Sequence, residues 1–286
     1  MKWQGRRKSS NVQRGGGGGS PLVFGGGIGG VVILLLYFLL GGNPSSLPQQ
    51  GTAVQQNQSQ TSGDQAVLED FLSVVLADTE DVWHEKFHEY GLTYTEPKMT
   101  LFNQATQSGC GLAQAKMGPF YCPIDKIVYM DVSFYNDLKN TFGAEGDFAF
   151  AYVLAHEIGH HVQNQLNILG QIQPLRKQLP EADYNKYSVA MELQADYFAG
   201  LFAHSVQEKG YLDQGDIEEA MKAAASIGDD RIQKMSGQEV NADSFTHGTS
   251  KQRKNAFDQG FKYHDLEHAL VFFEGLRYQP EFQYKR

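Results

Sequence analysis

The chain has 286 residues and a mass of 31.8 kDa, room for one large or two small domains at about 100–200 residues each. Its 41% hydrophobic and 20% charged residues exclude collagen-like, coiled-coil and wholly disordered classes. The net charge of −9 is unevenly placed: residues 1–63 carry five basic and no acidic side chains, whereas residues 64–286 carry 19 basic against 33 acidic. That acidic body excludes a phosphate-tracking surface, and with it nucleic acid as a partner.

Taken from the N-terminus, residues 1–21 form a basic tail with Lys2, Arg6, Arg7, Lys8 and Arg14, of which Arg6 to Gly19 reads as disordered, basic and glycine-rich. Residues 22–40, LVFGGGIGGVVILLLYFLL, follow without a charge. As a helix they would cover about 28 Å, close to the roughly 30 Å of a bilayer's hydrocarbon core. The basic residues all precede the run and none follows before Lys86, so the positive-inside rule keeps the N-terminus in the cytoplasm and places the rest of the chain across the membrane. A cleaved signal peptide is the alternative, but Gly41-Gly42-Asn43-Pro44 offers no A-x-A site. Residues 41–65, rich in Gln, Ser and Gly, read as a disordered tether.

The folded domain therefore spans 66–286. Val67, Phe71, Val74 and Val75 recur at helical spacing, Asp78 or Thr79 could cap a second helix through Tyr90, and Gly91 stops it. Lys98 to Asn103 and Lys126 to Val132 read as strands, with a hairpin between Cys110 and Cys122. Helices are predicted over 148–166, 181–209, 215–227, 251–263 and 264–278. The class is α+β, a small sheet packed on a helical body and preceded by a single transmembrane helix. In an oxidising compartment Cys110 and Cys122 would pair, closing a loop that contributes about 3 kcal/mol on the entropy model; two buried free thiols are the alternative.

The chemistry sits in VLAHEIGHHVQ, residues 153–163. His156 and His160, four apart, share one helix face and can reach one zinc ion, and Glu157 projects beside them toward a water, the HExxH arrangement of a metalloprotease. HEKFH at 84–88 matches the same pattern, but Lys86 between its histidines opposes a cation, so His84 and His88 are assigned to a solvated face and Trp83 and Phe87 to the core. His264 and His268 lack the Glu and read as a surface helix face. His161 is about 140° round the helix from His156 and cannot join it on a metal. Zinc needs a third protein ligand. The metzincin positions, Gln163 and Leu166, exclude that class, while MELQADYFAG offers Glu192 and Asp196 on one face among apolar neighbours. Two carboxylates there are costly to bury without a cation: Glu192 is the expected third ligand, and Asp196 the acceptor of a liganding histidine's ring N–H.

HEIGHH followed by ELQAD resembles a gluzincin. Together with residues 110–131, DTEDVWHEKF at 78–87 and FTHGTSKQR at 245–253, it resembles the bacterial putative neutral zinc metallopeptidase family. The resemblance implies a zincin-like, membrane-anchored Zn2+ peptidase in the bacterial cytoplasmic membrane, its catalytic domain on the periplasmic or extracellular side, acting on a peptide or protein substrate with Glu157 as general base. FTHGTS is similar to a THP-type stretch of integral-membrane gluzincins, except that Gly248 stands where Pro would. By that likeness His247 is the candidate second oxyanion donor, with Tyr187 and Tyr197 behind it. Arg253 either pairs with a carboxylate near the site or is solvated in the basic run KQRK. Gly118 to Tyr121 is a candidate rim for a peptide added to a sheet edge. Two other readings stay open: a catalytically silent zinc-binding envelope scaffold, and a zinc amidase acting on cell-wall bonds.

Overall fold

A computed structural model describes residues 1–15, 62–103, 105–114 and 118–282. The apolar run 22–40 and most of the expected tether lie outside the described residues. Among the described residues no helix is long and apolar enough to cross a membrane.

Helix α1, Ser62–Glu89, begins within the expected tether and runs unbroken through the point where a second helix was expected. Asp78 and Thr79 are not caps. Thr79 returns its hydroxyl to the Leu76 carbonyl at 2.7 Å, and Asp78 pairs with Arg6, so neither side chain competes for backbone N–H groups. Gly91, at φ +69°, ends the turn as expected.

The sheet has four strands in the order β1, β2, β6, β5: β1 is Val12–Arg14, β2 Lys98–Phe102, β6 Ile127–Asp131 and β5 Phe120–Cys122. β1 and β6 flank β2 in parallel, and β5 runs antiparallel to β6. Between β2 and β5, strands β3 (Ala105–Ser108) and β4 (Gly111–Gln114) form a separate hairpin. A disulfide joins Cys110 at its tip to Cys122 of β5.

β1 corrects the reading of the N-terminus. Residues 1–15, expected to be disordered from Arg6 onward, pack against α1 and β2 as part of the domain. Met1 is buried, its α-ammonium 2.7 Å from Asp147 and 3.3 Å from Asp216, and Trp3 packs edge-on to Phe71.

The helical body is built around α3, Asp147–Gln165, buried at every position from Phe148 to Gln163. A helix apolar on nearly all sides belongs in the interior, and α3 is covered by α1, the sheet, α5 (Glu181–Glu208) and α6 (Asp216–Ser226). The remaining helices are α2 (Phe134–Asn140), α4 (Ile168–Ile172), α7 (Asp229–Met235) and α8 (Ser250–Tyr263), which opens with a Thr249/Gln252 capping box and lies along α5. The helix expected over 264–278 is reduced to a 3-10 turn, His268–Phe273. His264 is left-handed at φ 42°, and the Leu266 and His268 N–H groups go to Tyr90 and Asp265 side chains instead of a helical ladder.

Candidate functional site

α3 and α5 cross face to face. A Cβ on Gly159 would sit 3.0 Å from the Ala195 backbone, so two small residues let the helices approach closely at this point. The approach sets His156 and His160 opposite Glu192 and Asp196, one turn apart on each helix, all four side chains buried.

The hydrogen bonds fix both ring tautomers. Nδ1 of His156 is 2.8 Å from the Asp196 carboxylate, which can only accept, so Nδ1 carries the hydrogen. Nδ1 of His160 is 2.9 Å from Oε1 of Gln163, whose amide nitrogen already donates to the Met191 carbonyl and to Gln194. Both Nε2 atoms face the Glu192 oxygens, at 3.2 Å from His156 and 3.4 Å from His160, so either ring protons or a shared cation must lie between them. Two imidazole nitrogens and a carboxylate oxygen within 4.8 Å of one another can hold a cation in place of those protons. Two imidazoles and one carboxylate are a zinc donor set that leaves a fourth position open. Burial favours the neutral acid of Glu192, but His160, His156 and His247 outweigh it and hold the carboxyl well below its ordinary range.

Glu157, the residue after His156, lines the same cavity and is buried, with Oε2 left without a hydrogen-bond partner among the described residues. Burial pushes its carboxyl up, partly offset by His160 and His156. An unpartnered carboxylate oxygen of raised proton affinity is what a general base requires.

The cavity also takes in Pro119, Phe134, Tyr152, His247 and Arg253. Pro119 alone of the expected rim Gly118 to Tyr121 reaches it; Phe120 and Tyr121 are buried in the sheet. His247 is held by Asp229, the first residue of α7. One Asp229 oxygen accepts the backbone N–H groups of Thr246, His247 and Gly248 at 2.7, 2.7 and 3.0 Å, and the other lies 3.0 Å from His247 Nδ1. Gly248 adopts φ +89° and donates its N–H. Proline could do neither, so the substitution that set this stretch apart from a THP sequence has its own geometry. Tyr187 and Tyr197 are corrected: Tyr187 accepts from the Tyr278 N–H, Tyr197 bonds Asp265, and neither lines the cavity.

Arg253 pairs with a carboxylate instead of facing solvent. Its Nε and one terminal nitrogen meet the two Asp196 oxygens at 2.8 and 2.9 Å, and the same terminal nitrogen lies 3.2 Å from the Tyr152 hydroxyl, which donates to Asp196. Three contributors escaped the sequence reading. Tyr152 stands four before His156 on one helix face and Gln163 three after His160, so helical spacing alone could have flagged both; Asp229 carried no local signal. The rejected pairs lie away from the site: half-exposed His84 meets Glu96 while Trp83 and Phe87 are buried, His264 stacks on His204, and His268 meets Asp265. His161 bonds the Thr95 carbonyl and Tyr121.

The chain is similar to the Uncharacterized protein YpfJ of Escherichia coli strain K12, 51% identical over 202 residues, 71% of this chain and 70% of that protein. It is also similar to the Uncharacterized proteins Mb2605 of Mycobacterium bovis and Rv2575 of Mycobacterium tuberculosis, each 41% identical over 183 residues, 60% of this chain and 61% of theirs. No solved structure matches. The sequence model for Putative neutral zinc metallopeptidase matches residues 1–272, and the chain belongs to that family.

Proposed function

We propose that the protein is a zinc-dependent metalloendopeptidase, held at a membrane by residues 22–40, that hydrolyses peptide bonds with Glu157 as the general base. The observation that carries this reading is the convergence of His156 Nε2, His160 Nε2 and the Glu192 carboxylate within 4.8 Å of one another, beside the Glu157 oxygen that has no hydrogen-bond partner among the described residues. His156, His160 and Glu192 would hold the ion. Zinc, when bound, supplies a Lewis acid that polarises a water and a substrate carbonyl.

The chain's own groups do the rest. Glu157 takes a proton from the attacking water and returns it to the leaving amine. Asp196 and Gln163 hold the two imidazoles in their tautomers, so neither ring needs to reorganise during turnover. With Nδ1 engaged by Asp229, the His247 ring keeps a fixed orientation and, when it carries both protons, offers Nε2–H to the developing oxyanion. Pro119 and Phe134 wall the cavity with apolar surface that excludes competing water.

Glu157→Gln tests the reading, because it keeps shape and removes the base. The variant should retain zinc and melt like the parent while cleavage of a peptide library falls by at least about 10²-fold, the lower end of what a general base contributes. Chelator should abolish the parent's activity. Unchanged cleavage by the variant would overturn the assignment.

A further inference from the structure

The stretch DTEDVW on α1 has no role at the metal site, and what it does is bind the N-terminal arm. Glu80 is 2% exposed. Among the described residues, every hydrogen bond to its carboxylate comes from the arm: Arg7 at 3.0 Å, Asn11 at 2.9 Å and the Ser9 hydroxyl. Asp78, 6% exposed, pairs with Arg6, whose guanidinium also lies over the Tyr211 ring. Outside these two, Arg7 reaches Asp81, Lys8 reaches Asp70 at 2.7 Å and Arg14 reaches Glu69. The backbone is tied as closely: Ser9 N–H to the Ser73 carbonyl at 2.9 Å, Met99 N–H to Asn11 at 2.8 Å, and Gly15 N–H to Leu101 at 2.8 Å, extending β1 along the edge of β2.

Two carboxylates buried on a helix without cations are strongly disfavoured, and on α1 the arm supplies their partners. The four cations from Arg6 to Arg14 are thus each matched to an acid of α1. These are the same charges that the positive-inside rule counts as a signal holding the N-terminus in the cytoplasm. A chain that crosses a bilayer once between residues 15 and 62 would leave the arm on one side and its acidic receptor on the other. The part of the chain that matches the family, residues 1–272, includes the arm.

We propose that residues 1–15 and 62–282 occupy the same side of any membrane that the intervening residues contact, the arm being a structural strand of the peptidase domain. The expected arrangement, N-terminus in the cytoplasm and domain outside it, then gives way to one in which both flanks share a compartment.

Lys8 and Asp70 make the test, since both side chains are about half exposed (52% and 54%) and their charged ends are 2.7 Å apart. Lys8→Cys and Asp70→Cys, singly in the full-length chain in spheroplasts, should give the same answer to a membrane-impermeant maleimide: both labelled, or both labelled only after lysis. The parent, treated in parallel, gives the background from Cys110 and Cys122, which is subtracted whether or not their disulfide is intact. The double variant, treated with a short permeant bismaleimide, should form an intramolecular link in the monomer, identified by mass spectrometry of the joined peptides. Adding Arg6→Glu, which sets a like charge against Asp78, should cut the yield several-fold. Labelling of one position without the other would overturn the proposal, as would absence of the link or a yield indifferent to Arg6→Glu.

Discussion

Asp196 is fully buried, and its two oxygens collect donors from three side chains: Arg253, the Tyr152 hydroxyl and Nδ1–H of His156. A carboxylate this deep is tolerated because Arg253 answers its charge with a two-point fork. Despite the burial penalty, Arg253 first and then His156 hold Asp196 below the ordinary carboxylate value. Arg253→Met would leave that charge unanswered, costing about 3–5 kcal/mol of stability, and would free Asp196 to shift off His156. Zinc affinity, measured by competition with a chromogenic chelator, should fall by about 10–100-fold, the range for lost outer partners of a ligand. Arg253→Lys should fall between variant and parent, since a point charge cannot reproduce the fork. An unchanged affinity in both would remove Arg253 from the site's support. At this scale the sequence was legible where spacing encodes geometry, as for His156, Glu157, His160, Glu192 and Asp196. It was opaque where burial decides: nothing local distinguishes Arg253 from its neighbours Lys251 and Lys254, which stay exposed while the third residue of the run turns inward.

Helices α5 and α8 meet through glycine. A Cβ on Gly260 would fall 1.8 Å from the Tyr197 carbonyl oxygen, and one on Gly200 would fall 2.0 Å from that of Phe257. Both obstacles are backbone atoms, so no rotamer change relieves them. This contact lays α8 along α5, bringing Arg253, two turns before Gly260, to Asp196. Gly260→Ala must therefore push the helices apart. Although alanine is the better helix former by about 1 kcal/mol, the variant should lose about 1–3 kcal/mol or more to overpacking. It should also lose zinc affinity in the same direction as Arg253→Met, although it touches no charged group. A variant as stable as the parent would show that the crossing can relax. The periodic pattern revealed α3, α5 and α8 to within a residue or two at each end, because long amphipathic or apolar segments leave a repeating trace. It divided α1 wrongly, since Asp78 and Thr79 look like a cap when the distant Arg6 is not known to be their neighbour. It overextended the helix after His264 because the side chains that divert the Leu266 and His268 N–H groups include Tyr90, far away in sequence.

In the whole molecule the sequence shows that a sheet exists but not how it closes. β2 and β6 are apolar enough to be read as buried strands, whereas β1 is three residues inside a basic run and joins the sheet through a partner 87 positions away, Val12 opposite Met99. Where β6 ends, Asp131 illustrates what long-range burial does to stability. It is completely buried; one oxygen accepts from the Ser133 N–H and hydroxyl at 3.0 and 2.8 Å, starting the turn into α2, and the other has no hydrogen-bond partner among the described residues. Burial, with a smaller push from Asp137 and against the Ser133 bonds, raises its pKa from 3.8 to about 6. The sign follows from linkage: between these values the folded state keeps a proton that the unfolded state has released, so rising pH lowers stability across that window. At 1.36 kcal/mol per pH unit the loss amounts to about 3 kcal/mol by neutral pH. Asp131→Asn preserves the acceptor for Ser133 and has no charge to bury. Its melting temperature relative to the parent should therefore climb by several degrees from pH 4 to pH 7, with groups common to both proteins cancelling in the difference. A gap that is constant with pH, or that narrows as pH rises, would mean Asp131 is ionised at little cost and that water or a cation reaches its second oxygen.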